Sequence, residues 1–441
     1  MEVLKNRGVS MILIAGGKTI DQQQAVQDPA LTLNLLVELA NDAGLEVRRM
    51  PPLDEWITER PATEQLREIN LEELLERAPI QIHNEAIAAA LGGKKILVTG
   101  AAGSIGSELV RQLTRFSPSL IIACDQAETE LHELGLELQE QYPNGKVALF
   151  VGNICEMQRM RMLFEVYEPE LVFHAAAYKH VPLMEDHPSM AVLNNILGTR
   201  TLADLAVEFG VEEFVMVSTD KAVNPTNVMG ASKRVAEIYT QSLYRQLAAE
   251  RGPVVTRFIT TRFGNVLGSN GSVVPRFRQQ LEKGGPLTVT HPEITRYFMT
   301  IPEACQLVIE AGVMGEGGEI FVFDMGKPVK IADLAAKLIR LAGKRPGIDI
   351  QIEFTGLRPG EKLYEELLSD AETTLPTYHE KILKAQVREY AFAEVRDQVT
   401  ELIRLAEQHY SLDTVRLMKQ MVPEFKSENS VYGELDGLVV G

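Results

Sequence analysis

The run Lys95-Ile-Leu-Val-Thr99 passes without a break into Gly100-Ala-Ala-Gly103-Ser-Ile-Gly106-Ser-Glu-Leu109, and no other stretch constrains this chain so much. A short β-rich apolar run, a turn with glycine at every third position and a helical pattern make a strand–turn–helix unit. The glycines let the backbone turn tightly and approach a pyrophosphate closely, while the free N–H groups at the helix start face its charge. Gly100, Gly103, Ser104, Ile105 and Gly106 are therefore the expected phosphate cradle of a dinucleotide. Asp125 ends the next apolar run, where a carboxylate would accept hydrogen bonds from the adenosine ribose hydroxyls, which favours NAD over NADP. Two plainer readings stand beside these: glycines that only make a tight turn, and an aspartate that is solvated or caps a helix.

The strand-then-helix alternation recurs at Leu120–Cys124, Val147–Val151, Leu171–His174, Phe214–Ser218 and Val255–Arg262. Short apolar runs separated by helical stretches predict an α/β fold, a doubly wound parallel sheet of Rossmann-like type covered on both faces. Beyond Gly268 the alternation becomes irregular, with a strand at Ile320–Phe323, a helix at Ile331–Ala342 and a strand near Ile350–Phe354. Before Gly92-Gly93 lie strands at Met11–Ala15 and Leu45–Arg49, a helix near Leu31–Ala43 and a polar helix at Thr63–Arg77. The expected organisation is a partial α/β segment and linker at 1–93 and a dinucleotide-binding core at 94–267. A mainly substrate-binding lobe follows at 268–392, then a helical tail at 393–441, helical from Ala393 to Met421.

Composition narrows the class of partner. The chain has 441 residues and a net charge of −17, so its overall field repels nucleic acid and anionic membranes, and an anionic ligand needs local cations. Cys124, Cys155 and Cys305 are odd in number and widely spaced, against a disulfide framework or a metal site. The sequence shows no apolar run long enough to span a bilayer and no secretory signal, so the cytoplasm is the expected location of the chain as given.

The glycine spacing is similar to that of the extended short-chain dehydrogenase/reductase superfamily. In the same order, Gly152-Asn153-Ile154 resembles its adenine-contacting turn, His174-Ala175-Ala176-Ala177 the strand end beneath the nicotinamide ribose, and Asn195-Ile-Leu-Gly198 its central helix motif. His174 alone reads more simply as a satisfied core histidine. That superfamily pairs a tyrosine and a lysine one helical turn apart, but here the stretch is Met229-Gly-Ala-Ser-Lys233. A thioether cannot move a proton, so the ordinary mechanism cannot operate unchanged. Just upstream, Ser218-Thr219-Asp220-Lys221 places a hydroxyl, a carboxyl and an amine at the carboxyl end of a strand, where doubly wound folds bind ligands.

The whole stretch Ser218–Arg234 resembles the CapD-like UDP-N-acetylglucosamine 4,6-dehydratases of polysaccharide biosynthesis, in which methionine at the tyrosine position is typical. The resemblance continues through Ala177–Pro182, Arg262–Gly268, Gly271–Pro275, Thr295–Met299 and Arg358–Lys362. It implies a lyase that oxidises C4 of the sugar with NAD, loses water across C5 and C6 and returns the hydride to C6. Thr219 with Lys233 would carry the C4 hydroxyl proton, Lys221 would take the C5 proton and Asp220 would protonate the departing hydroxyl. The resemblance further implies NAD contacts at Asn153, Ile154, Ala175, Ala176 and Lys233. It places Lys179 and Asn265 by the sugar and diphosphate, Val273 and Val274 by uracil, and Arg296, Arg358 and Glu361 on the nucleotide. Arg276 has a solvated reading that weighs equally.

Long members of that family carry transmembrane helices and a nucleotide-fold-like domain ahead of the catalytic part, and only Met11–Leu53 matches the later half of that domain. The expectation is either a piece of a longer protein, whose membrane-anchored form would face this part to the cytoplasm, or a naturally short one. Gln65–Leu75 and Met421–Phe425 resemble the long class that retains configuration at C5. Helices of extended short-chain enzymes associate beside the sheet, so a homo-oligomer through Val192–Ala206 and Val235–Leu247 is expected, although core packing competes for those residues. A C5-inverting dehydratase or UDP-sugar epimerase on the same scaffold is the alternative, and a non-enzymatic NAD-binding module the remote one.

Overall fold

The computed structural model describes residues 9, 11–14, 39–40, 45–49, 67–68, 84–252, 255–366 and 373–436. The chain forms two compact units that alternate along the sequence: residues 1–79, 271–294 and 329–356 make the smaller, and residues 80–270, 295–328 and 357–441 the larger.

In the larger unit the strands are β1 (Lys95–Thr99), β2 (Leu120–Asp125), β3 (Val147–Val151), β4 (Leu171–His174), β5 (Glu213–Val217), β6 (Arg257–Arg262), β7 (Glu319–Phe323), β8 (Thr373–Pro376) and β9 (Ile382–Gln386). They form one sheet in the order β8-β9-β7-β6-β5-β4-β1-β2-β3. The strands from β1 to β7 are parallel, as expected, and β8 and β9 add an antiparallel edge that the sequence reading did not anticipate. Side chains alternate across the sheet: Leu97 joins the apolar cluster on one face, and Ile96 and Val98 join that on the other. Both faces are therefore buried, which is why these strands read as continuous apolar runs.

Helices α1 (Ser104–Thr114), α2 (Glu128–Gln141) and α6 (Ile301–Met314) supply one cluster. The other takes α3 (Met157–Tyr167), α4 (Gly198–Glu208), α5 (Val228–Arg251), α7 (Phe392–Glu407) and α8 (Ser411–Met421). The tail expected to be helical is two helices, interrupted where His409 adopts a left-handed backbone with φ of 58°. The chain runs β1 to β2 to β3 on one side and returns beside β1 as β4, so the strand order reverses between β1 and β4. Doubly wound sheets open a ligand crevice at such a point.

In the smaller unit Met11–Ile14 pairs in parallel with Glu46–Arg49, and Leu287–Val289 with Ile352–Phe354. Arg67–Glu68 is a short strand paired with Arg48 and Arg49, where a polar helix was expected; pairing with a neighbour satisfies its backbone groups instead. The rest of Thr63–Arg77, and Leu31–Ala43 apart from helical Leu39 and Ala40, lie outside the described residues.

Candidate active site

The turn after β1 meets the end of β4 at the reversal point. Gly100 has φ of 69°, and a Cβ there would stand 2.6 Å from the backbone nitrogen of Ala176. A Cβ on Gly106 would come within 2.0 Å of the Gly100 carbonyl oxygen. These two glycines are required by the protein's own packing. Gly103 differs: it precedes α1 in ordinary extended backbone, and a Cβ there would meet only the Gly100 oxygen, at 3.2 Å. It borders a cavity of about 140 Å³ whose walls also include Gly100, Asp125, Asn153, Ala175 and Ala176. Among the described residues no side chain caps the first turn of α1, so its N–H groups stay available to an anion. A dinucleotide fits this donor set and this glycine.

Asp125 fixes the floor of the turn. One carboxylate oxygen accepts from the Ala102 N–H and the other from the Ala127 N–H, each at 2.9 Å. A carboxylate has further lone pairs, so these bonds leave acceptor capacity for ribose hydroxyls. Asn153 Oδ1 accepts from the Cys155 N–H, and Ile154 is buried against Gly198. Ser104 Oγ accepts from the Asn270 N–H at 3.0 Å, and the Ile105 carbonyl accepts from Cys305 Sγ. His174 is a core histidine, as its simpler reading had it. Its ring nitrogens meet Thr99 Oγ1 at 2.8 Å and Thr199 Oγ1 at 2.9 Å, and burial lowers its pKa to about 3.

Helix α5 begins on the backbone of Lys221. Asn227 Oδ1 caps it by accepting from the Gly230 N–H, and a Cβ on Gly230 would lie 2.0 Å from the Lys221 carbonyl oxygen. Glycine after Met229 is thus what lets the two segments touch. Met229 and Lys233 stand one turn apart on α5, both buried. Lys233 has no ion-pair partner among the described residues, and burial lowers its pKa to about 8, near the range where an amine exchanges protons at neutral pH.

Thr219, Asp220 and Lys221 follow β5 directly, and the structure brings their polar atoms together. Asp220 Oδ1 accepts from Thr219 Oγ1 and Lys221 Nζ, both at 3.0 Å. Lys221 Nζ also lies 3.4 Å from Asn265 Oδ1 and 3.5 Å from Glu365 Oε1. Asp220 is 1% exposed and its Oδ2 has no hydrogen-bond partner among the described residues. Burial raises the Asp220 pKa, only partly offset by Lys221, which favours the protonated acid. Burial alone would lower the Lys221 pKa, but Asp220 and Glu365 outweigh it and the net shift is upward. Ser218 turns away from this group: its hydroxyl donates to Glu237 Oε1 at 2.6 Å. Glu237 is buried, which pushes its pKa up, yet Arg262 and Arg234 hold it at about 2. That network anchors α5 to β6 beneath the cluster.

The remaining expected residues divide. Lys179 Nζ donates to the Asn270 carbonyl at 2.8 Å and has its pKa lowered by burial. Arg296 is buried and donates to the carbonyls of Thr295, Leu363 and Lys362, with Glu361 and Glu365 beside it, so it is a structural cation more than an open fork. Arg358 is half exposed and lies 3.6 Å from Glu361. Val273 and Val274 open a helix of the smaller unit, Val273–Glu282. Sequence reading missed Glu237 and Glu365. Glu237 was visible as the residue one turn beyond Lys233; Glu365 lies three residues beyond the Arg358–Lys362 motif, with nothing in the local pattern to mark it.

Residues 96–387 match the family of polysaccharide biosynthesis proteins. The chain belongs to that family. Over 405 residues it is 47% identical to the capsular polysaccharide biosynthesis protein CapD of Staphylococcus aureus, covering 91% of this chain and 65% of CapD. It is 48% identical to the probable polysaccharide biosynthesis protein EpsC of Bacillus subtilis over 79% of this chain and 58% of EpsC. It therefore spans less than two thirds of either relative. The crystal structure of Pen from Bacillus thuringiensis is 30% identical with a TM-score of 0.60, covering 70% of this chain and 98% of Pen. The fold also matches DesIV of Streptomyces venezuelae, a dTDP-glucose 4,6-dehydratase solved with NAD and TYD, at 22% identity and a TM-score of 0.54, over 72% of this chain and 97% of DesIV.

Proposed function

We propose that this chain uses NAD to remove water from UDP-N-acetylglucosamine across C5 and C6. The product would be UDP-2-acetamido-2,6-dideoxy-α-D-xylo-hex-4-ulose, with C5 retained, for surface polysaccharide or glycan synthesis. The observation that carries this reading is the Thr219–Asp220–Lys221 cluster, in which a buried acid, one of whose oxygens has no hydrogen-bond partner among the described residues, touches a half-buried amine at the carboxyl end of β5. The relatives' role in polysaccharide synthesis and the dehydratase of like fold support it.

Gly100, Gly103, Ser104, Ile105, Gly106, Asp125, Asn153, Ile154, Ala175 and Ala176 would hold NAD, with Lys233 at its ribose. Bound there, NAD supplies a hydride acceptor for C4 and the hydride later delivered to C6. Thr219 and Lys233 take up the C4 hydroxyl proton, since Met229 cannot. The C4 ketone acidifies the C5 proton, which Lys221 would remove through its deprotonated form, made scarce at neutral pH by the upward shift of its pKa, while Asp220, whose pKa burial raises, would donate to the leaving C6 hydroxyl. Lys179, Asn265 and Arg358 are the groups for the sugar and diphosphate, with Arg296 and Glu361 fixing the segment that carries Arg358. The protein is proposed to work in the cytoplasm as a homo-oligomer.

The test is incubation with UDP-N-acetylglucosamine followed by mass measurement and proton NMR of the fresh product. A nucleotide sugar lighter by one water with D-xylo couplings is expected. Unchanged mass would sink the dehydratase reading in favour of epimerisation or no reaction, and L-arabino couplings would sink retention.

A further inference from the structure

Glu365 lies outside every motif named above, yet its carboxylate is buried beside the proposed base. Its side chain is 3% exposed, and Oε1 stands 3.5 Å from both Lys221 Nζ and Arg296 Nε. Lys221 Nζ is therefore shared between two carboxyl groups, at 3.0 Å from Asp220 and 3.5 Å from Glu365, with Asn265 Oδ1 at 3.4 Å. Around this one ammonium three buried polar atoms lack a hydrogen-bond partner among the described residues: Asp220 Oδ2, Glu365 Oε2 and Asn265 Nδ2. Buried polar groups are satisfied, by protein or by ordered water, almost without exception, so three orphans in one place leave acceptors and a donor open to a hydroxyl.

We propose that Glu365 is a positioning residue for Lys221, one oxygen holding the ammonium within reach of Asp220 and the other left to accept from a substrate hydroxyl. This rests on the dehydratase reading for the role of Lys221, but the clamp itself follows from the distances alone. The charged groups facing Lys221 are Asp220, Glu365 and Arg296; those facing Glu365 are Lys221, Arg296 and Lys362. Burial opposes charge on Glu365, yet its cationic neighbours hold its pKa below the usual range, so it is an anion at neutral pH. An anion there raises the pKa of both Lys221 and Asp220. Removing its charge must lower both. A base must be neutral and an acid protonated, so each limb of the pH–rate profile then moves toward lower pH.

Two variants test this. Glu365→Gln removes the charge and keeps the shape; Glu365→Asp keeps the charge on a shorter stem. The first readout needs no activity: reductive methylation with ¹³C-formaldehyde and an NMR titration of the Lys221 signal, assigned by its loss in Lys221→Arg. The expected result is a titration midpoint lower in Glu365→Gln than in the unaltered chain, with Glu365→Asp between them. An unmoved midpoint in Glu365→Gln overturns the proposal, and if that variant does not fold, an unmoved midpoint in Glu365→Asp does so. The second readout is the pH profile of kcat with UDP-N-acetylglucosamine. Both limbs moving acidward supports positioning, whereas loss of rate at every pH with an unmoved Lys221 midpoint would make Glu365 a reacting group and overturn it. A Lys221 shift in a chain without dehydratase activity would sink the reaction assigned above and leave the clamp standing.

Discussion

Asp220 and Lys221 are neighbours in sequence whose side chains bind each other, so each variant must be read with the partner it leaves behind. Asp220→Asn and Lys221→Met are both expected to slow water loss by about 10²–10⁴-fold, the range for a lost general acid or base. Cofactor affinity should hardly change, because neither residue borders the cavity beside Gly103. Near-normal turnover in either would remove that residue from the mechanism. Lys233 gives a pH prediction of known sign. Burial lowers its pKa to about 8, and the neutral amine is the form that takes a proton, so oxidation at C4 should accelerate as pH rises through about 8 and level off above it. Single-turnover appearance of the reduced cofactor's absorbance checks this; a rate falling across that range contradicts it. At this scale the sequence was legible where chemistry is contiguous, as in Thr219–Lys221. It was not where a long-range contact makes the site: Glu365 reaches Lys221 across 144 positions, and no local spacing encodes that.

The strand–turn–helix from β1 to α1 separates glycines needed by the fold from one needed by a ligand. Gly106→Ala forces a Cβ to within 2.0 Å of a carbonyl oxygen and is expected to destabilise by about 1–3 kcal/mol, as overpacking does. Gly103→Ala is milder: its Cβ would stand 3.2 Å from the Gly100 carbonyl oxygen, a tight contact that a shift of a few tenths of an ångström relieves, so its melting temperature should fall less than that of Gly106→Ala while NAD affinity falls at least about tenfold, the equivalent of ~1.4 kcal/mol. Calorimetry of melting and of NAD binding reads both; equal NAD affinity in Gly103→Ala would refute the cradle. The parallel strands were legible because burial on both faces leaves unbroken apolar runs such as Lys95–Thr99. The β8–β9 edge was not: β8 is Thr-Thr-Leu-Pro, with two threonines, a proline and largely exposed side chains, so no apolar alternation marks it. The break between α7 and α8 hid for another reason, since it turns on a single left-handed residue, His409, where glycine would be the usual signal.

The tail joins the sheet in one apolar body. A single cluster runs from Ile122, Val172 and Phe214 in the sheet, through Val235, Ile238 and Tyr239 of α5, to Val399 and Leu402 of α7 and Met418 of α8. Val192, Ile196, Leu202 and Leu205, expected to serve association, lie buried in this same cluster, so packing within the chain uses them. The chain after α8 then reaches the loop before α5: the Lys426 N–H donates to the Pro225 carbonyl and the Glu428 N–H to that of Thr226, both at 3.1 Å. The tail therefore braces the segment between Lys221 and Lys233 and should unfold with the core. Leu402 is fully buried, and Leu402→Ala is expected to cost about 2–5 kcal/mol, drawn from the transition that melts the sheet. Far-ultraviolet and near-ultraviolet circular dichroism should report the same lowered midpoint. An early tail transition that leaves the sheet's midpoint unmoved would show the tail to be an independent appendage. It would also return the faces of α4 and α5 to the list of surfaces open to a second copy.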